Sequence, residues 1–194
     1  KLNNKAISIK LQRIDPNKYN IIDIGSGYGE STLEIAKSDL TKHVIACEKY
    51  IDGINKIAEN SINSSIKNVS IFFGNFHQLL DEYCSMNSIS ELWILFPDPW
   101  PKKRHNKRRL INVSFFKKIK EFLKDDAIIH IVSDSKLYVS EILNCAYQVK
   151  NDFKWINQNK ETWDYTNLPL PKTKYFKKAV EKGLNPFYLK LIKL

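Results

Sequence analysis

Residues 21–29 read Ile-Ile-Asp-Ile-Gly-Ser-Gly-Tyr-Gly. The run from Ile21 to Ile24 is a short buried strand, and it ends in three glycines at alternate positions. Gly25, Gly27 and Gly29 permit positive φ and let a ligand approach the backbone closely. Ser31 to Lys37 carries helical periodicity, so the glycines join a strand to the start of a helix. Such a start presents unpaired N–H groups to a carboxylate or phosphate. The spacing is G-x-G-x-G, whereas dinucleotide binders prefer G-x-G-x-x-G. Glu48 lies nineteen residues past Gly29, at the end of the next strand. A carboxylate in that place accepts the hydroxyls of a ribose. The bland alternative is a tight strand–helix turn and a surface Glu.

Working outward, strands and helices alternate. The patterning predicts strands at His43–Glu48, Val69–Phe73, Glu91–Phe96 and Ala127–Val132, and late strands at Phe153–Ile156 and Phe187–Ile192. It predicts helices at Ile51–Asn60, Ser114–Leu123 and Leu137–Tyr147. Helices of about ten residues between strands imply βαβ units and a parallel sheet. Ligands of such sheets bind beyond the strands' carboxyl ends. Gly25–Gly29, Glu48, Asn75, Pro97–Trp100 and Asp134 all fall there. Asn75 and Phe76, after the third strand, offer an amide and an aromatic face to an adenine.

The 194 residues read as one domain, with a hydrophobic content of 43% sufficient for a core. Residues 1–18 read as an N-terminal segment, and since the first residue is not Met the chain can belong to a longer one. The formal charge is +10, and it is unevenly spread. Between Lys102 and Arg109 stand six Lys or Arg and no acid, for which a polyanion partner is the economical explanation and a solvated charge run the alternative. Cys47, Cys84 and Cys145 are scattered, the pattern of reduced thiols in a cytosolic protein. The separated histidines His43, His77 and His130 show no ligand spacing, so no metal is expected. No apolar run approaches the ~18 residues of a membrane span, and no signal-peptide pattern opens the chain.

The cationic block continues directly from Phe96-Pro-Asp-Pro-Trp-Pro101, a stiff loop carrying one carboxylate, Asp98. Together, Gly25–Gly29, Phe96–Leu110 and the later Thr173-Lys-Tyr175 with Gly183 resemble the tRNA (guanine-N7)-methyltransferases, in their bacterial form. The likeness runs in order from about Tyr19 to the C-terminus. The fifteen-residue central motif is specific, whereas many methyltransferases share the glycine turn.

The resemblance implies a Rossmann-like class I fold: a seven-stranded, mostly parallel sheet with an antiparallel last strand and helices on both faces. It implies a single S-adenosylmethionine-dependent domain over residues 1–194. It also implies methylation of guanine N7 at position 46 in the tRNA variable loop, in the cytoplasm. The enzyme would work as a monomer or homodimer with no obligatory protein partner. By position, Gly25, Gly27, Gly29, Glu48, Asn75 and Phe76 would hold the cofactor. Asp98 would be the catalytic acid of the guanine site, and Asp134, Thr173 and Tyr175 would help to build it. Lys102, Arg104, His105 and Arg108 would hold tRNA, with Lys103, Lys107 and Arg109 also expected on phosphates. This chain departs from the family at Asn75-Phe76, at Ser135 and at Phe176, where a Glu is usual.

Two rival functions are consistent with parts of this pattern. An amino-group methyltransferase would carry Asn- or Asp-Pro-Pro-Tyr after the fourth strand, and this chain has Pro-Asp-Pro-Trp. A non-catalytic RNA-binding module with the same fold would have no need to keep the glycine turn, Glu48 and Asp98.

Overall fold

A computed structural model describes residues 11–194 of the chain. Its elements in order are β1 (Asn20–Ile24), α1 (Glu30–Ser38), β2 (His43–Glu48), α2 (Ile51–Asn63), β3 (Val69–Phe73), α3 (Phe76–Tyr83), β4 (Ile89–Leu95), α4 (Val113–Ile119), β5 (Leu123–Ser133), α5 (Lys136–Gln148), β6 (Phe153–Trp155), α6 (Lys160–Trp163), α7 (Lys174–Glu181) and β7 (Phe187–Lys193). The strands form one seven-stranded sheet in the order β3-β2-β1-β4-β5-β7-β6. Neighbours from β3 to β5 run parallel, and β7 is antiparallel to both β5 and β6.

The sequence explains this layout. β1 reads Asn-Ile-Ile-Asp-Ile and is buried along its whole length, as a central parallel strand covered on both faces must be. Alternate side chains feed two apolar clusters. Ile22, Ile24, Ile45, Leu92, Ile129 and Ile131 join α3, α4 and α5 on one face. Ile21, Val44, Ala46 and Trp93 join α1 and α2 on the other.

Two differences from the expected elements have physical causes. The helix expected over Ser114–Leu123 stops at Ile119. Leu123 is fully buried and pairs with Ile89 as the first residue of β5, so tertiary pairing overrides helical periodicity. The register then shifts between Ile89 and Glu91, and Asp126 takes φ 60°. α3 was not expected. Asn75 starts it, its Oδ1 accepting the Gln78 N–H at 3.0 Å.

Candidate active site

The turn at the end of β1 is built from below. Asp23 is 1% exposed and accepts the hydroxyls of Ser31 (2.6 Å) and Thr32 (2.7 Å), tying β1 to the first turn of α1. Burial pushes the Asp23 carboxyl upward, and the two hydroxyls partly offset this. Gly25, Gly27 and Gly29 have φ of 71°, 57° and 80°, a region costly for side-chain-bearing residues. A Cβ placed on Gly25 or Gly27 would meet nothing within 4 Å, so open space adjoins the turn. Gly29 has no such space: a Cβ there would come within 2.6 Å of Ile57 Cγ1.

Glu48 closes the turn from β2. Its Oε2 accepts the Gly27 N–H at 2.8 Å, and its Oε1 accepts those of Lys49 and Tyr50 at 2.7 and 2.9 Å. A carboxylate has about four acceptor sites, so one remains on Oε2. Ser26 Oγ beside it is buried and has no hydrogen-bond partner among the described residues. An open cradle of glycine backbone, an unpartnered hydroxyl and an edge acid together fit the polar end and ribose of an S-adenosyl cofactor.

Asn75 is exposed at the end of β3, with its amide nitrogen available while Oδ1 caps α3. Phe76 corrects the sequence reading. Its ring is 3% exposed and packs against Phe115 in the core, so it presents no face to an adenine. What it leaves at the edge is a first-turn backbone N–H, which has no acceptor within the helix.

The loop after β4 is held under strain. Phe96 (φ 52°) and Trp100 (φ 41°) both precede prolines, and left-handed backbone at such residues costs about 1–2 kcal/mol each. Between them Asp98 is exposed, and its carboxylate takes no hydrogen bond from the described residues. Arg109 fixes the loop from behind. It is 4% exposed, its Nε donates to Pro99 O at 2.6 Å and its Nη2 to Trp100 O at 3.0 Å. Its Nη1 pairs with Glu141 on α5, and its guanidinium lies over the Tyr138 ring. Arg109 is therefore no phosphate ligand, contrary to the sequence expectation.

The rest of the cationic block forms a 3-10 helix, Lys103–Arg108. Lys102, just before it, and Arg104, Lys107 and Arg108 on it are exposed, and His105 is half-buried. Trp100 is packed edge-on by His105 (5.7 Å between centroids) and lies 5.0 Å from the Arg108 guanidinium. Asp134 is half-buried just past β5, at the same sheet edge.

The far wall is the start of α7. Thr173 is 7% exposed and caps the helix, and Tyr175 is 47% exposed and stacks on Phe96 at 6.3 Å. Gly25–Tyr28, Glu30, Ser31, Leu95 and Thr173–Tyr175 line one pocket. Phe176 turns inward and packs against Tyr165 at 5.5 Å. The carboxylate at this helix start comes instead from Glu30, whose Oε2 accepts the Lys174 N–H at 2.5 Å.

Sequence reading missed Glu30, Gly53 and the inward role of Arg109. A Cβ on Gly53 would sit 2.4 Å from Gly27 O and 3.0 Å from Glu48 Cγ. The signal was available: a glycine in the first turn of an amphipathic helix costs about 1 kcal/mol against Ala and needs a reason. Trp163 and Tyr165 pack internally, against Phe187 and Tyr188. Among the described residues no group of three His, Cys, Asp or Glu is placed to hold a metal, and no helix is long and apolar enough to cross a membrane.

Sheet order, glycine turn and edge acid define a class I methyltransferase. Known proteins agree. Residues 17–189 match a family described as "Putative methyltransferase". The tRNA (guanine-N(7)-)-methyltransferase of Buchnera aphidicola (Schizaphis graminum) is 33% identical over 90% of this chain and 72% of its own length. That of Nitrosomonas europaea is 32% identical over 84% of this chain and 71% of its own. Among solved structures, an rRNA methylase from Streptococcus thermophilus superposes with a TM-score of 0.59 at 17% identity, covering 93% of this chain and 89% of that one. A Streptococcus mutans protein solved in complex with SAH also gives 0.59, at 18% identity, covering 97% and 94%. These last two show the fold. The chain belongs to the tRNA (guanine-N7)-methyltransferase family.

Proposed function

We propose that this chain transfers a methyl group from S-adenosylmethionine to N7 of guanine at position 46 in the tRNA variable loop. One observation carries the reading. At a single sheet edge the glycine turn shares a pocket wall with Leu95 and Thr173–Tyr175, and the Asp98 loop after β4 leads into an exposed cationic helix. The curated relatives are named for guanine N7 of tRNA, and the Streptococcus mutans neighbour was solved with SAH. The reading treats residues 1–194 as one domain, active in the cytoplasm as a monomer or homodimer without an obligatory partner protein.

S-adenosylmethionine supplies an activated methyl on a sulfonium. Gly25, Gly27 and Gly29 shape its cradle, Glu48 takes a ribose hydroxyl on its remaining acceptor site, and Asn75 offers its amide to the adenine. Guanine N7 holds a lone pair and no proton, so this chain needs no general base. Its task is positioning, which supplies up to about 7–11 kcal/mol of barrier lowering in ideal cases. Asp98 accepts from guanine N1–H and N2–H₂ and favours the positive charge that transfer leaves on the ring. Asp134, Thr173 and Tyr175 complete the base site. Lys102, Arg104, His105 and Arg108 grip the tRNA backbone.

The test is transfer of labelled methyl from S-adenosylmethionine to two unmodified tRNA transcripts, with guanine or adenine at position 46. The expected result is label in the first alone, released as N7-methylguanine. Equal labelling of both would discard the site, and cofactor binding without transfer to either would favour an RNA-binding module.

A further inference from the structure

Glu30 is the first residue of α1, immediately after Gly29. Its carboxylate reaches across 144 positions of sequence to the Lys174 N–H. The contact is returned: the Lys174 ammonium lies 4.0 Å from the centroid of Tyr28, inside the glycine turn, and 5.2 Å from that of Tyr175. Tyr28 and Glu30 on one side and Lys174 and Tyr175 on the other thus form a closed clasp, and all four line the same pocket.

The local chemistry requires this partner. The first turn of α7 has no acid of its own, and Thr173 Oγ1 accepts only the Phe176 N–H, at 3.4 Å. Phe176 occupies the third helical position, from which an acid would reach back, and its ring is turned toward Tyr165. The N-terminus of α7 therefore takes its negative charge from α1. The geometry of the glycine turn and that of Thr173–Tyr175 are joined by the Lys174 N–H to Glu30 Oε2 bond and by the Lys174 ammonium over Tyr28.

We propose that Glu30 is a positioning residue that sets the distance between the methyl donor and the base. The inference rests on the proposed function, in which the donor lies on the glycine turn and the guanine lies against Thr173 and Tyr175. The Glu30 carboxylate is engaged with the Lys174 N–H. It acts by fixing α7 to the turn, and an error near 1 Å in such a register costs up to about 100-fold in rate.

The experiment compares wild type, Glu30→Ala and Glu30→Gln as full chains. Three quantities are read: kcat at saturating tRNA and S-adenosylmethionine, Kd for S-adenosylhomocysteine, and thermal unfolding. Glu30→Ala should lower kcat by about tenfold or more, with the S-adenosylhomocysteine Kd within about threefold and the fold intact. Glu30→Gln keeps an oxygen that accepts the Lys174 N–H, so it should recover most of the lost rate. Unchanged kcat in Glu30→Ala, or a loss that tracks cofactor affinity, overturns the inference. So does a Gln variant as slow as the Ala variant.

A second readout separates this inference from the proposed function. Amide hydrogen exchange at residues 174–176 is followed with and without S-adenosylhomocysteine, and needs no tRNA. Without ligand, exchange should quicken by about three- to tenfold in Glu30→Ala. With ligand, it should slow in wild type and not in Glu30→Ala. If wild type binds the ligand with no effect on α7, the inference fails whatever the substrate. If wild type fails to methylate tRNA while the exchange pattern holds, the proposed function fails and the coupling stands.

Discussion

Arg109 donates its Nε to the carbonyl of Pro99 at 2.6 Å, and so a cation from the most basic stretch of the chain serves the loop that carries Asp98. The contact divides the block by function. Arg109→Ala removes bonds to two loop carbonyls and leaves Glu141 without its partner, at a cost of about 2 kcal/mol. Glu141 is 40% exposed, which keeps the cost below that of a fully buried pair. The expected outcome is a lower denaturant midpoint and at least tenfold slower turnover, about the effect of a misplaced loop. The salt dependence of tRNA binding should stay as in wild type, since Arg109 meets no phosphate. A shallower salt slope would show that Arg109 leaves the loop to contact RNA.

Asp98 is exposed between two residues in left-handed backbone, with no hydrogen bond from the described residues to occupy it. Strain held beside a free carboxylate suits a group kept ready for a ligand. Asp98→Asn keeps the shape and removes the charge. It should lower kcat by about 10²- to 10³-fold, while S-adenosylhomocysteine titration gives a near wild-type Kd. Near-normal turnover in this variant would remove Asp98 from the guanine site.

Four exposed cations of the described residues, Lys102, Arg104, Lys107 and Arg108, make a countable prediction. If all four meet phosphate, log affinity for tRNA should fall with log salt at a slope of about −3 to −4. Arg108→Ala should make that slope shallower by about 1. Filter binding at several salt concentrations measures both, and a flat response would refute the phosphate role.

The parts legible in the sequence were those with strong local periodicity. β2 and β3 have the bounds that the apolar runs gave them, and the glycine turn stands where Gly25, Gly27 and Gly29 placed it. What escaped depends on partners distant in sequence. Phe76 follows a strand as an adenine-facing residue would, but α3 starts there and turns the ring toward Phe115. Arg109 is one cation among six until the carbonyls of Pro99 and Trp100 are seen beside it. Glu30 and Lys174 carry no pattern linking them, because their pairing arises only when α7 returns to the glycine turn.

Gly53 supports the cofactor turn from α2. Gly53→Ala places a methyl 2.4 Å from Gly27 O and 3.0 Å from Glu48 Cγ, so the helix, the turn or the acid must move. Overpacking of this kind costs about 1–3 kcal/mol. The strain falls on the turn that cradles the donor, so S-adenosylhomocysteine affinity should drop by about tenfold while tRNA affinity is unchanged. Calorimetric titration of each ligand measures the split. Equal weakening of both would mean that α2 supports the whole site.

The last prediction concerns a buried polar cluster beneath the sheet edge. His130 stacks on Trp93 at 3.9 Å, its Nδ1 lies 2.7 Å from the Tyr188 hydroxyl, and its Nε2 lies 3.2 Å from Glu91 Oε2. A neutral ring with its proton on Nε2 suits both neighbours. Burial holds the His130 pKa below its ordinary 6.5, although Glu91 pulls the other way. Burial alone would raise the Glu91 carboxyl, but His130, Tyr19 and Trp93 hold it at about 2 instead of 4.5. Both folded-state values are depressed, so the unfolded chain takes up protons first as the pH falls. Stability is then complete above 6.5, declines below it as His130 protonates in the unfolded state, and declines further from 4.5 toward about 2 through Glu91. Denaturant midpoints of wild type and Glu91→Gln across this range measure the effect. The variant should be less stable than wild type at neutral pH, and the gap should narrow below 4.5, where wild type begins to lose the Glu91 contribution. A gap constant down to about pH 3 would show that Glu91 titrates alike in the folded and unfolded chain.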